Sequence, residues 1–153
     1  MNYETTLKRT REIVAKHLNF FSKNTFEVSI LPGWADLVEE FIDEAKKVVG
    51  ETGGTLQVSQ IKEKLGGLRI YYRVEKLTEQ QRDAIDRLAE KAEEASFKTC
   101  VFCGCPGKRD SATGWISVRC DEHTGETRMF DEDYNMAVFG KHEDEMAKLL
   151  KHQ

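Results

Sequence analysis

No apolar run in this 153-residue chain approaches the roughly 18 residues that a membrane-spanning helix needs, so a bilayer-spanning protein is not expected. The start of the chain lacks the basic stretch, apolar middle and small-residue cleavage site of a secretory leader, and a soluble, cytoplasmic protein is expected. Positive charge is not in excess: 23 Lys and Arg against 27 Asp and Glu leave a formal net charge of -4. That balance argues against a protein whose main device is a broad electrostatic grip on nucleic acid or anionic lipid, while leaving room for a local basic patch. Internal repeats, low-complexity tracts, phosphate-cradling glycine loops, nucleophile elbows and paired-histidine hydrolase helices are all missing, so an enzyme is not expected. Cysteine is missing everywhere except positions 100 to 120, where all four cysteines of the chain fall. Disulfide scaffolds spread their cysteines, and this clustering points to metal instead.

The remainder reads as an α+β domain: a small antiparallel sheet packed against helices, followed by a C-terminal treble-clef-like zinc module. Three segments are expected, an α+β body over 1-98, a zinc module over 99-128 packed on it, and an acidic, partly helical extension over 129-153. Residues 4 to 21 place Leu7, Ile13, Val14, Leu18 and Phe21 at helical spacing. Phe26, Val28 and Ile30 alternate as in a short strand that stops at Leu31-Pro32-Gly33. From Trp34 to Val49 the apolar positions Leu37, Val38, Phe41, Ile42, Ala45 and Val48 follow the three-four rhythm of a helix buried on one face, and Gly50 ends it. Leu56 and Val58, then Leu68, Ile70, Tyr72 and Val74, switch to period two on either side of Gly66-Gly67, which predicts a hairpin with an irregularity between Gln60 and Leu65. Thr78 and Gln81 form a capping box for a helix that should reach about Phe97.

The chemistry sits in Cys100-Val101-Phe102-Cys103 and Cys120-Asp121-Glu122-His123. Each pair has the two-residue gap that lets a tight turn aim both side chains at one ion, and four soft or borderline ligands suit tetrahedral zinc. Gly104, Pro106, Gly107 and Gly114 permit the turns, and Trp115 to Arg119 reads as a strand leading to the second pair. Four protein ligands close the shell, so one structural zinc ion is expected, held by Cys100, Cys103, Cys120 and His123. Cys105 competes with His123 for the fourth place; His123 is preferred because Cys105 would crowd three cysteines at one end. His17, His142 and His152 have no partner at ligand spacing and read as surface or partly satisfied histidines.

A second candidate is the stretch 60-76, where Lys62, Lys64, Arg69, Arg73 and Lys76 outnumber Glu63 and Glu75 by five to two. With Tyr71 between Arg69 and Arg73, this face could contact phosphate and stack on a base, or equally meet a protein. Lys108, Arg109 and Arg119 could extend it. Asp36, Glu39, Glu40, Asp43 and Glu44 read as the solvated side of a helix. The chain's end surrounds an apolar island, Met136 to Phe139, with acidic residues, and Met146, Leu149 and Leu150 suit a short amphipathic helix that packs back or meets a partner.

Gly33-Trp34 with Leu37 and Phe41, the run Ile61 to Arg69 with Tyr71-Tyr72, and Cys100-x2-Cys103-Gly104 with Pro106-Gly107, Gly114-Trp115-Ile116 and Cys120-x2-His123 together resemble a group of small bacterial and phage-borne proteins of no settled activity. The resemblance covers residues 33 to 123 and implies that body and zinc module recur as one unit. It carries over no catalytic residue. The module alone resembles zinc elements of some phage endonucleases, whose catalytic histidine and acidic partners have no match here. The expected function is therefore a zinc-stabilised protein-interaction or regulatory protein, a phage or mobile-element accessory factor. A small nucleic-acid-binding protein using face 62-76 is the alternative, and a zinc-containing nuclease the weaker one.

Overall fold

A computed structural model of the chain describes residues 3-22, 25, 27-111, 114, 116-125 and 141-151. In order, it contains α1 (Tyr3–Lys16), β1 (Glu27–Val28), α2 (Ala35–Val49), β2 (Thr55–Lys64), β3 (Gly67–Glu75), α3 (Glu79–Ser96), β4 (Lys108–Asp110), β5 (Ser117–Arg119) and α4 (Lys141–Lys151). The fold is α+β. One sheet has the order β1-β2-β3, and a second, two-stranded sheet joins β4 to β5.

The hairpin expected over 55-75 is there, with its turn at Leu65-Gly66. Both turn residues have positive φ, 53° and 85°, which matches a two-residue primed turn whose twist suits the flanking strands. Glu63 Oε1 accepts from Gly66 N at 2.6 Å and closes it. The irregularity lies earlier than expected: the register shifts between Val58 and Gln60, and Gln60 to Lys64 continue as regular strand. A bulge there keeps Val58 and Ile61 both facing inward, which unbroken alternation would forbid. The strand expected around Val28 shrinks to two residues and runs parallel to β2, with α2 as the crossover.

The first helix stops at Lys16 rather than near Phe21. His17 and a single 3-10 turn, Leu18–Phe20, follow it and carry Phe21 into a bridge with Val58. Helix α2 follows its pattern, burying Val38, Phe41, Ile42, Ala45 and Val49. Helix α3 starts at the expected capping box: Gln81 N donates to Thr78 Oγ1 at 3.1 Å, and Thr78 N donates to Gln81 Oε1 at 2.9 Å. A cap of this kind contributes about 1 kcal/mol. Its Gln81 Nε2 also donates to Val48 O at 3.0 Å, tying the start of α3 to the end of α2.

One buried cluster runs through all these parts. It takes Ile13 and Val14 from α1, the inner face of α2, Leu56, Val58, Ile61 and Leu68 from the sheet, Ile85 from α3 and Leu150 from α4. Cys100, Val101, Phe102 and Cys120 belong to the same cluster, so the cysteine-bearing segment is packed into the core of the body. Leu150 is 4% exposed, so α4 packs against the body at that residue. The apolar island at Met136 to Phe139 and residues 126-140 generally lie outside the described residues, as do Phe26, Trp115 and His152. Among the described residues, no helix is long and apolar enough to cross a membrane.

Candidate metal centre

Local sequence forces the first ligand pair together. After α3, Thr99 Oγ1 donates to Ala95 O at 2.7 Å and ends the helix, leaving Cys100 to open a tight loop. Two backbone bonds close that loop, Gly104 N to Cys100 O at 2.9 Å and Cys100 N to Cys105 O at 2.8 Å. Gly104 stands at φ +79°, a conformation that a side chain would strain. The loop is fixed from two sides: Val101 N donates to Val118 O of β5 at 3.0 Å, and Gly33 N at the entry to α2 donates to Val101 O at 2.8 Å. The second pair follows β5 directly, where a 3-10 turn over Asp121–His123 brings His123 N to Cys120 O at 3.0 Å.

The result is a group of four ligand atoms, from Cys100, Cys103, Cys120 and His123, all within 4.8 Å of one another. Their spacing can be compared with what zinc demands. Metal bonds of about 2.3 Å to sulfur and about 2.0 Å to nitrogen, arranged tetrahedrally, give edges of roughly 3.8 Å between sulfurs and roughly 3.5 Å from sulfur to nitrogen. Three of the six edges are 3.7 Å for Cys103 Sγ to Cys120 Sγ, 3.6 Å for Cys100 Sγ to His123 Nδ1 and 3.2 Å for Cys120 Sγ to His123 Nδ1, and the others lie within 4.8 Å. The donor set therefore fits a four-coordinate zinc shell in both chemistry and size. Burial pushes the Cys103 thiol above its ordinary pKa, so a nearby cation is what would hold it as the thiolate. Phe102 stacks on the His123 ring at 5.2 Å and limits its rotation. Cys105 is exposed and stays outside the four-atom group.

No protein-family model, curated protein or solved structure matches the chain. What the centre does must be read from its own geometry.

The second candidate, the strand stretch, is assembled by the hairpin register. Lys62 lies opposite Arg69, Gln60 opposite Tyr71 and Gln57 opposite Arg73, so Lys62, Arg69, Tyr71 and Arg73 share the face turned away from the core. Part of this charge is already engaged. Arg69 pairs with Glu93 of α3 at 3.2 Å, and the Lys62 ammonium sits 5.6 Å from the Tyr71 ring centre. Lys64, Tyr71 and Arg73 are exposed.

The basic extension expected around the cysteine loop changes most. Arg119 is buried and pairs with Asp110 at 2.9 Å, because β4 and β5 set the two side chains within reach beneath the loop. It adds nothing to the surface. Arg109 donates to Leu65 O at 3.2 Å and lies 5.5 Å from the Phe97 ring, so it fastens the hairpin turn to the metal module. His17, read as a surface or partly satisfied histidine, is 2% exposed. The early end of α1 turns it inward against α2, with Lys46 beside Nδ1 and with Glu39 and Asp43 each 3.7 Å from Nε2. Burial first, then the Lys46 charge, lower its pKa.

Sequence reasoning missed three groups that the fold makes important. Ser96 Oγ accepts from the buried Leu68 N at 2.9 Å, Asp110 holds Arg119, and Gly33 leaves room for the backbone of the cysteine loop. Each depends on a partner more than eight positions away, and no spacing rule connects them.

Proposed function

We propose that the chain is a metal-organised, non-catalytic protein-interaction unit, in which one structural zinc ion held by Cys100, Cys103, Cys120 and His123 fixes the C-terminal module on the α+β body. The observation that carries this reading is the set of ligand edges close to those of a tetrahedral zinc shell. Four protein ligands leave no coordination position for water or substrate, which separates this centre from hydrolytic zinc sites. Three thiolates around a divalent ion would make metal binding strengthen as pH rises, since each thiol must lose a proton.

The interaction role is supported by what the module presents. Leu65, at the hairpin turn, is 66% exposed, and Ile116, also exposed, lies against Gly66 beside it. The Arg109 bond to Leu65 O holds this apolar tip in a fixed position. An anchored apolar residue with a polar surround is the pattern of a protein contact. A phage or mobile-element accessory factor is the setting we propose for this role, on the resemblance of residues 33 to 123 to bacterial and phage-borne proteins. The shared face of Lys62, Tyr71 and Arg73 supports nucleic-acid binding as a second reading, ranked lower because Glu93 and Tyr71 already engage Arg69 and Lys62.

Metal analysis of the purified chain should give one zinc per molecule, lost on Cys100→Ser, with the hairpin tip then no longer held. A photo-crosslinking residue at Leu65 should yield discrete protein adducts in nuclease-treated cells of the native host. Metal-free protein that is equally folded, or adducts that disappear with nuclease, would overturn the respective halves of the reading.

A further inference from the structure

The outer side of β3 is an edge of the three-stranded sheet. Leu68 N donates to Ser96 Oγ on α3, so the backbone of Leu68 points away from β2. Strand periodicity gives the same direction to Ile70, Tyr72 and Val74, whose neighbours in sequence carry the bonds to β2. Among the described residues, nothing takes up the outward N–H and C=O groups of these three. Beside them lies a groove of about 250 Å³ whose one wall is β3 and whose other wall is α3. Ala89, Asp86, Glu90 and Glu93 line it from α3, where Asp86 already accepts from the Tyr72 hydroxyl and Glu93 already pairs with Arg69.

We propose that this groove accepts an extended segment of a protein partner, which adds to the sheet as a fourth strand between β3 and α3. The inference rests on the protein-interaction reading above and supplies its docking mode. Main-chain bonds to Ile70, Tyr72 and Val74 give the affinity, and alternating side chains give the specificity. The row facing α3 meets Ala89 and the carboxylate of Glu90, so it carries small apolar and basic residues. The opposite row lies beside Tyr71 and Arg73 and carries hydroxyl and acidic residues, since opposite charges on neighbouring strands attract and like charges repel. A second copy of this chain, paired about Tyr72 with Arg69 against Glu75, would compete for the same edge, and a dimer of the peptide-free chain in sedimentation would overturn the partner-strand reading. Ser96 and the Arg69–Glu93 pair close the groove at its Leu68 end and so fix where an added strand begins.

The test uses the full-length, zinc-loaded chain and a synthetic peptide, Lys-Glu-Val-Thr-Val-Glu-Val-Thr-Lys, with amide hydrogen exchange read residue by residue. At a free peptide concentration ten times its Kd, exchange at Ile70, Tyr72 and Val74 should slow about tenfold, while Arg69, Tyr71 and Arg73, already bonded to β2, stay unchanged. The same peptide with proline at its central valine should give no protection, because it lacks a donor and cannot pair. A Glu90→Lys variant should bind the parent peptide more weakly and remain folded. Equal protection by both peptides, or none up to millimolar peptide, overturns strand addition. If protein adducts at Leu65 persist in that case, the interaction reading survives without this docking mode. Twelve-nucleotide oligothymidine that perturbs Lys62, Tyr71 and Arg73 while the peptide leaves the β3 edge untouched would also overturn it, and would transfer the surface to nucleic acid.

Discussion

Gly33→Ala is the most demanding single test of how the body and the metal module are joined. A Cβ built on Gly33 would lie 1.8 Å from Cys100 O, 2.7 Å from Gly104 N and 2.9 Å from the Cys100 carbonyl carbon, all backbone atoms of the loop that aims the first two ligands. No rotamer change relieves a backbone clash. The loop would have to withdraw by roughly 1 Å or more, enough to stretch the 2.8 Å bond from Gly33 N to Val101 O past useful geometry. Losing that buried bond costs about 1 to 3 kcal/mol and the overpacking a further 1 to 3 kcal/mol, so the variant should lose roughly 2 to 6 kcal/mol. A domain of this size has about 5 to 15 kcal/mol in all. Gly53→Ala serves as the comparison: its Cβ meets nothing within 4 Å, but φ is +82°, so only backbone strain of about 1 kcal/mol is expected. Urea unfolding of the two zinc-loaded variants beside the parent measures the difference, and competition with a chromophoric chelator measures the metal. Gly33→Ala should show the larger fall in midpoint and release zinc at lower chelator concentration. Parental stability and parental zinc retention in Gly33→Ala would show that the loop does not bear on Gly33, and the account of the joint would be wrong.

Further outcomes follow from the same geometry. Cys100→Ser or His123→Ala should abolish stoichiometric zinc by metal analysis, whereas Cys105→Ser should keep it, because the Cys105 thiol lies outside the ligand group. Asp110→Ala leaves the fully buried Arg119 guanidinium without its carboxylate and should cost about 3 kcal/mol in chemical denaturation; Arg119→Met with Asp110→Asn should recover much of the loss. Ser96→Ala orphans the buried Leu68 N and should cost about 1 to 2 kcal/mol by the same measurement. The depressed His17 pKa fixes a pH dependence: as pH falls through 6.5 the unfolded chain takes up a proton that the folded chain refuses, so stability is full above 6.5 and declines below it. His17→Gln should flatten that decline between pH 6.5 and 5.5, with zinc content followed in parallel, and an unchanged slope would remove His17 from the account.

Legibility in the sequence followed the range of the interaction. Helix α2, the hairpin and the α3 capping box are set by residues two to four positions apart, and periodicity finds such patterns directly. The cysteine pairs were legible for the same reason, because a gap of two residues within a tight turn is itself a geometric statement. What escaped depends on approach between distant segments. Nothing near Arg119 distinguishes it from a surface arginine; only the pairing of β4 with β5 puts Asp110 at 2.9 Å from its guanidinium. His17 reads as a surface or partly satisfied histidine because no partner stands at ligand spacing in sequence, but the end of α1 before the turn at Leu18–Phe20 leaves it buried against α2. The bulge lies between Val58 and Gln60, a few residues before the place the alternation suggests, since the charged run from Lys62 to Lys64 disturbs the hydrophobic pattern more visibly than the extra residue does.

The distant contacts share a direction, and it bears on what a bound metal would do. Gly33 meets the ligand loop from the start of α2, Trp34 Nε1 donates to Thr99 O at 3.2 Å just before Cys100, and Arg109 reaches from β4 to Leu65 O at the hairpin turn. The cysteine segment thus touches the body at both the helix entry and the sheet tip. Its described portion contributes few large apolar side chains of its own to the core, chiefly Val101, Phe102 and Val118. Burial of three such groups yields only about 5 to 9 kcal/mol before the entropy of ordering the loops is subtracted, and that entropy is about 1 to 2 kcal/mol for each residue fixed. Hydrophobic packing alone is a weak hold on the segment, and a zinc ion at the four ligands would strengthen it. On this argument, removing zinc should release the hairpin tip and Gly33 seams together while α2 and the α2–β2 core persist. Amide exchange in chelator should then rise first at Val101 and Gly33, well before Ile42 and Ala45.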